Sequence, residues 1–372
     1  MGAQPCYRLI YNHLLEEITS GRLLPGSQLP SEKDLCQTYS VSRITSKKAL
    51  ELLAEQGIIS RYPGKGSFVR DGFQQKLGRE SLLAPVIGFI MPDFSDAFGT
   101  KLIYGIEETC AKLGYHLIFK RTRDLAGEEE KAIRSLAGPG IAGILMLPIH
   151  GEYYNSEILN LILGKRAVVF VDRKMKGLAA PTVTTDNLEA AEMGVEYLFR
   201  LGHRNIAFYS GPIKHTSTVE DRCQGFINAF AKFGVSHDPA HFYQNLSSTW
   251  THPFYAPERI QTDIEQIRRH LDAHSEITAA FTAEYFMALL VKAAAEKLGR
   301  RIPDDFSILT FDSPFSLVGP PPITYLSQDE YAIGKLAVET LHKVISGEDP
   351  SLNGDYLVQA KLIIGDSTAL VK

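Results

Sequence analysis

From residue 86 onward the chain alternates short apolar runs with longer amphipathic stretches, and this alternation constrains its fold more tightly than any other feature. Residues 86–91, 115–120, 141–147, 167–171, 206–210, 279–281 and 307–311 are predicted strands. Residues 100–113, 127–136, 155–163, 187–201, 219–233 and 284–298 carry apolar side chains at helical spacing. Parallel strands need a crossover between them, so strand–helix alternation predicts a parallel α/β sheet. The region is longer than one such sheet domain, and two lobes are expected.

In open parallel sheets, ligands lie beyond the carboxyl ends of the strands. The polar residues at those ends are therefore candidates for a binding cleft. Asp93, Phe94, Ser95, Asp96 and Phe98 follow the first strand, and Asp172 and Arg173 follow the strand at 167–171. A long loop after 206–210 leads to Arg222, Glu284 follows 279–281, Asp312 follows 307–311, and Gln328 ends the segment Tyr325-Leu326-Ser327. Carboxylates, arginines and an amide converging on one cleft suit a polyhydroxylated ligand, because each hydroxyl both donates and accepts and charged partners bind it strongly. Phe98 and Trp250 could cover the apolar face of a sugar ring. Asp186, just before the helix at 187–201, is read as a helix cap.

The first seventy residues follow a different pattern. Leu9, Ile10, Leu14, Leu15 and Ile18 predict a helix over 7–19. After a Pro-Gly turn, Ser31 caps a second helix running to about Tyr39, with Asp34 placed for a capping box. Ser42 then caps a third helix that runs through Gln56 and stops at Gly57. Two helices across a tight turn, the second longer, form the helix-turn-helix pattern. Two short strands around Pro63-Gly64-Lys65-Gly66 add a hairpin with a basic tip, a wing. Arg43, Ser46 and Lys47 fall in the first turns of the third helix, where such a helix enters a major groove, while Thr45 and Lys48 are placed for phosphates. Lys65 and Gly66 complete the DNA-facing set at the wing, and the caps Ser31 and Ser42 are counted with it. These seventy residues hold nine Lys and Arg against six Asp and Glu, whereas the remaining chain holds 30 against 37. A basic cap on an acidic body places an anionic partner at the N-terminal part alone.

The segments PGSQLPSEKDL, VSRITSKKALELLAEQGII and PGKGSFV resemble, in order and spacing, the GntR family of winged-helix regulators. The resemblance implies that Arg43, Thr45 and Lys47 touch operator DNA and that Gly66 lies at the wing tip. Lys47 stands where many members carry Arg, and it lacks the bidentate fork. Further on, VVFVDRKMKG, VTTDNLEAAEMGVEYLFRLGHRNIAFYSGP, EDRCQGF, RIPDDFSILTFDSPF and ITYLSQDEYAIGKLAVETL are similar to the LacI/GalR effector domain, itself similar to periplasmic sugar-binding proteins. This second resemblance implies two Rossmann-like lobes, the first near 86–184 and 328–346 and the second near 185–327 and 347–372, with a ligand between them. It implies effector contacts at Asp172, Arg222, Asp312 and Gln328, with Phe98 as a nearby aromatic. Glu284-Tyr285 stands where that family usually has Asn-Asp, and Gly99 replaces a frequent second aromatic. The joined layout is similar to that of the arabinose repressors of bacilli, which points toward a pentose or related sugar.

The expected architecture is thus a winged helix-turn-helix over 1–70, a polar linker over 71–85 and a periplasmic-binding-protein-like α/β domain over 86–372. The expected function is a DNA-binding transcription regulator, a repressor of carbohydrate-utilisation genes controlled by a sugar-like effector. Its expected partners are operator double-stranded DNA, the effector and a second copy of the chain, without a membrane. The N-terminal stretch has charges where a secretory apolar core would sit, and no run is long enough to span a bilayer, so a cytoplasmic location is expected. The four cysteines form no CxxC pair and are read as free thiols. His237 and His241 have zinc-like spacing, but Pro239 between them opposes a helix presenting both, and no metal is expected. GxSxG, GxxxxGK[ST] and HExxH motifs are missing, so no catalytic residue and no cofactor is expected. The alternative is a sugar-binding or transport component that does not bind DNA, which the wing and the missing leader oppose.

Overall fold

A computed structural model describes the chain apart from residues 1–5, 20–21, 56, 63, 71–84, 139, 152–154, 213, 215, 249–256, 315–317, 349–353 and 372. The expected linker thus falls almost wholly outside the described residues. Two units result, Met1–Ala84 and Pro85–Lys372.

The first unit contains helices α1 (Cys6–Thr19), α2 (Glu32–Tyr39) and α3 (Arg43–Glu55), followed by an antiparallel hairpin of β1 (Ile59–Tyr62) and β2 (Gly66–Val69). Ile10, Leu14, Ile18, Leu35, Leu50, Leu53, Ile58 and Val69 form its core. The Ser31 hydroxyl accepts from the Asp34 amide at 3.2 Å, while Asp34 accepts from the Ser31 amide at 3.0 Å. That reciprocal box satisfies two orphan donors and fixes where α2 starts.

The second unit contains two six-stranded sheets. The first is built from β3 (Val86–Met91), β4 (His116–Arg121), β5 (Ile141–Met146), β6 (Val168–Val171), β7 (Thr182–Thr185) and β13 (Asp355–Val358). Its order is β13-β7-β6-β5-β3-β4, and every pairing is parallel. The second sheet holds β8 (Ile206–Tyr209), β9 (Phe242–Tyr243), β10 (Ala279–Thr282), β11 (Ser307–Phe311), β12 (Thr324–Ser327) and β14 (Lys361–Ile363), in the order β14-β12-β11-β10-β8-β9. Only the β12–β14 pairing among these is antiparallel. Both sheets reverse their strand order beside the first strand, β3 or β8, which creates a crevice at each carboxyl edge.

The chain passes between the lobes as often as the sequence reading expects, but the last crossing falls later. β13 pairs with β7 in the first sheet, so 355–358 does not belong with the second lobe as expected; only β14 does. The crossover helix α11 (Glu330–Ser346) packs on α4 (Thr100–Lys112) through Leu102, Ile106, Ile333, Ala337 and Val338. Glycines bring the two backbones together. A Cβ added at Gly105 would lie 2.3 Å from the Tyr331 carbonyl oxygen, and one at Gly334 would lie 2.4 Å from that of Leu102.

Gly334→Ala should therefore lower stability by ~1–3 kcal/mol in urea unfolding through overpacking. Gly127, helical and with open space around its Cα, is the control. Gly127→Ala should be neutral or stabilising by up to ~1 kcal/mol, and equal effects at the two positions would refute the close-contact argument.

Candidate functional site

The carboxyl edges of both sheets open into one cavity of about 800 Å³, lined by Phe98, Asp124, His150, Asp172, Arg173, Arg222, Glu284, Asp312 and Gln328 among others. Arg222 projects from α8 (Ser217–Lys232) and is buried. Its Nε donates to Asn187 Oδ1 at 2.7 Å and its Nη1 to the Ala283 carbonyl at 2.6 Å. Its guanidinium lies 3.8 Å from the centre of the Phe311 ring. Gln328 Nε2 donates to Asp312 Oδ2 at 2.8 Å, and Thr185 Oγ1 donates to Gln328 Oε1 at 2.7 Å. Asp172 and Asp312, directly after β6 and β11, both have left-handed backbone, φ 62° and 61°. Such backbone is uncommon outside glycine, and Asp tolerates it better than bulky residues do. The two lobes thus use the same turn to aim a carboxylate inward.

A second network sits on the first lobe. Arg173 Nη1 donates to the Pro148 carbonyl at 2.9 Å, and its Nη2 lies 2.7 Å from His150 Nε2. His150 Nδ1 lies 2.9 Å from Asp124 Oδ2. Because Arg173 can only donate, His150 Nε2 accepts and Nδ1 carries the proton toward Asp124. Burial and the Arg173 charge hold the imidazole below its usual range, in keeping with a neutral ring. Burial alone would raise Asp124, but the hydrogen bonds from His150 and the Arg173 charge hold it well below the usual carboxylate range. Asp172 Oδ1 and Arg173 Nε are buried without a hydrogen-bond partner. An unsatisfied buried polar atom costs ~1–3 kcal/mol, and both residues line the cavity.

Burial pushes Glu284 up to about 7 despite Arg173 and Arg222, and pushes Asp312 up to about 8 despite Arg222. Glu330, which accepts from the Gly99 amide at 2.6 Å, and Glu129, which braces Ile149 and Asn155, are each pushed up to about 7 by burial. Arg222 is itself lowered by burial, an effect that Asp312, Asp172 and Glu284 oppose.

Of the effector residues expected from the sequence, the cavity brings together Asp96, Phe98, Asp172, Arg173, Arg222, Glu284, Asp312 and Gln328, with Asp96 exposed at its rim. Trp250 lies outside the described residues. Asp186 is a cap as expected, its Oδ1 accepting from the Glu189 amide at 3.0 Å. Asp124 and His150 escaped the sequence reading, although each follows a strand and the carboxyl-end rule would have found them. Gly99 has a structural reason: its φ is +101°, and a Cβ there would lie 2.6 Å from Phe94 Cβ, so an aromatic has no place at this position.

In the first unit, Arg43 is exposed at the start of α3 and donates to Glu32 Oε2 at 3.0 Å, while Arg61 donates to Glu32 Oε1 at 2.6 Å. Lys47 lies 3.6 Å from Glu51, and Lys48 stands 4.5 Å over the Tyr7 ring. The Ser42 hydroxyl caps α3, accepting from the Thr45 amide at 3.3 Å and meeting Thr45 Oγ1 at 2.9 Å. Ser46 corrects the sequence reading. It is wholly buried, its hydroxyl 3.3 Å from the Glu32 carbonyl and 3.1 Å from that of Arg43, so it ties α3 to α2 and faces no groove. Lys65 is exposed, and Gly66 leaves room for Gln28, whose Nε2 donates to the Lys65 carbonyl at 3.0 Å. Ile44, beside Arg43, is 79% exposed, an apolar side chain of the kind that can meet a thymine methyl.

Residues 6–69 match the bacterial regulatory proteins of the gntR family, and residues 195–368 match the periplasmic binding protein-like domain. The chain is a transcription regulator in which a gntR-family helix-turn-helix is joined to a periplasmic-binding-protein-like α/β domain. It is 24% identical over 371 residues to the arabinose metabolism transcriptional repressor of Geobacillus stearothermophilus, covering 98% of each chain. It is 29% identical over 282 residues to the transcriptional repressor CytR of Escherichia coli, covering 75% of this chain and 78% of that protein. Among solved structures, it superposes with TM-score 0.62 and 25% identity on a periplasmic binding protein/LacI transcriptional regulator of Alkaliphilus metalliredigens complexed with D-xylulofuranose, covering 76% of this chain and 99% of that one. These relatives are regulators rather than enzymes. Among the described residues no helix is long and apolar enough to cross a membrane.

The raised carboxyls fix a pH dependence. The folded state keeps protons on Glu129, Glu284, Glu330 and Asp312 that the unfolded chain releases near pH 4, so stability falls as pH rises toward 7–8. The depressed histidines His150, His203 and His270 act oppositely, but only below their ordinary 6.5. The melting temperature of the unliganded protein should therefore drop between pH 6.5 and 8, less steeply in Glu284→Gln; a flat or rising profile would contradict these assignments.

Proposed function

We propose that this regulator represses carbohydrate-utilisation genes and releases its operator when a sugar-like effector enters the cleft. The observation that carries the reading is the cavity at the carboxyl edges of both sheets, where Asp172 and Arg173, each with a buried atom that makes no hydrogen bond, meet Arg222, Asp312 and Gln328. Such a set pairs with vicinal hydroxyls, and Phe98 at the wall suits the apolar face of a sugar ring. Glu284 accepts from the effector when ionised, which favours a hydroxyl or amine donor at that end. No catalytic step is assigned to these residues.

At the other unit, Arg43, Lys47 and Ile44 are the base-reading candidates, with Thr45, Lys48 and Lys65 for phosphates and Ser31 and Ser42 holding the helix starts. A regulator of this kind acts in the cytoplasm as a homodimer that sets two α3 helices into successive major grooves. An effector that prefers one lobe arrangement ~100-fold shifts the equilibrium by ~2.7 kcal/mol per site, enough to release a moderately stable complex.

A thermal-shift screen of pentoses, hexoses, their phosphates and amino sugars should yield a ligand that raises the melting temperature and weakens binding to the DNA upstream of the gene. Arg222→Ala should keep DNA binding and lose that response, whereas Arg43→Ala should keep the thermal shift and weaken DNA binding by ~1–3 kcal/mol. A normal ligand response in Arg222→Ala would remove the cleft from the account, and unchanged DNA binding in Arg43→Ala would remove α3.

A further inference from the structure

At the opposite end of the second sheet from the cleft, where β9 begins and just before β10, His241, His274 and Glu276 come together. They are the one group of three potential ligands found among the described residues, with one donor atom of each within 4.8 Å of the others. His241 Nε2 lies 2.9 Å from Glu276 Oε1, and His274 Nδ1 lies 3.4 Å from the same oxygen. We propose that this trio binds a divalent transition-metal cation of the zinc class, a role separate from the effector cleft.

The donor set suits such an ion. Two imidazoles and one carboxylate make up a known zinc coordination set, and a tetrahedral ion with bonds near ~2.0–2.1 Å holds its ligand atoms ~3.3–3.5 Å apart. Side-chain movements on the order of 1 Å from the present arrangement would reach that spacing, and a fourth position would face the adjoining surface cleft, which His241 and Glu276 line with His237 and Asp238.

The surrounding backbone is already fixed. The turn carrying His241, Pro239–His241, is capped by Asp238, whose Oδ1 accepts from the Ala240 amide at 2.8 Å. On the other side, the His274 amide donates to the His270 carbonyl and the Ile277 amide donates to that of His274, both at 3.1 Å. His270 has both ring nitrogens engaged, Nδ1 2.8 Å from the Tyr209 hydroxyl and Nε2 2.8 Å from the Ala240 carbonyl. It is thus no ligand; it clamps the end of α9 (Pro257–Ala273) against the turn that presents His241. His237, the partner that sequence spacing suggested for His241, instead packs its ring edge-on against Phe230 and Phe242. An ion at the trio would staple the start of an edge strand to the far end of α9. Closing so long a segment is where a metal clip stabilises most.

The test uses the full chain, freed of metal by chelator dialysis and titrated with Co²⁺ and then Zn²⁺. One Co²⁺ per chain should bind with visible d–d absorption, Zn²⁺ should displace it, and the melting temperature should rise. His274→Ala should weaken Co²⁺ binding by more than the ~10–100-fold typical of an outer-shell change. His237→Ala should leave it unchanged. His241 is buried, so if His241→Ala fails to fold, the half-buried His274 decides the matter. Absence of Co²⁺ absorption in the wild-type chain, or binding that survives His274→Ala, would overturn the assignment.

Discussion

A guanidinium removed from water must find acceptors, and Arg222 finds them in Asn187 and the Ala283 carbonyl while its face rests on Phe311. These contacts all lie on the second lobe and fix the cation there. The carboxyl groups around it come from both lobes, Asp172 from the first and Asp312 and Glu284 from the second. The electrostatic balance of the cleft is therefore shared across the crevice. In the proposed mechanism, a ligand that inserts hydroxyls between these groups changes that balance and with it the preferred spacing of the lobes, because charges in a poorly hydrated site interact strongly.

The two lobes reach this arrangement by the same route. Each is a parallel sheet whose order reverses beside its first strand, and each ends one strand in a left-handed Asp directed at the crevice. The chain returns to the first lobe through α11, where Gly105 and Gly334 allow a backbone approach that no side chain permits. The close packing there fixes the returning helix onto the first lobe.

Much of this is legible in the sequence. Apolar runs mark β3, β5, β6, β8, β10 and β11, and the carboxyl-end rule singles out Asp172, Glu284 and Asp312 from the order of residues alone. β7 is not visible there, because Thr182-Val183-Thr184-Thr185 has hardly any apolar run although all four residues are buried. β13 and β14 fall to one lobe in such a reading because two short strands so close in sequence give no sign that they join different sheets. Ser46 resembles a groove contact since its position on the helix allows it; only the packing of α2 against α3 reveals that it faces inward. His241, His274 and Glu276 cannot be grouped by spacing, because a strand and a helix separate the first from the other two.

The central claim is that occupancy of the cleft and grip on DNA are one equilibrium, and thermodynamic reciprocity tests it most directly. The dissociation constant of the sugar found by thermal shift would be measured with and without saturating operator DNA, and that of the operator with and without saturating sugar. The account predicts that the two ratios agree, with operator weakening the sugar by the same factor by which sugar weakens the operator. A sugar that binds in the cleft with the same affinity whether or not operator is present would contradict it.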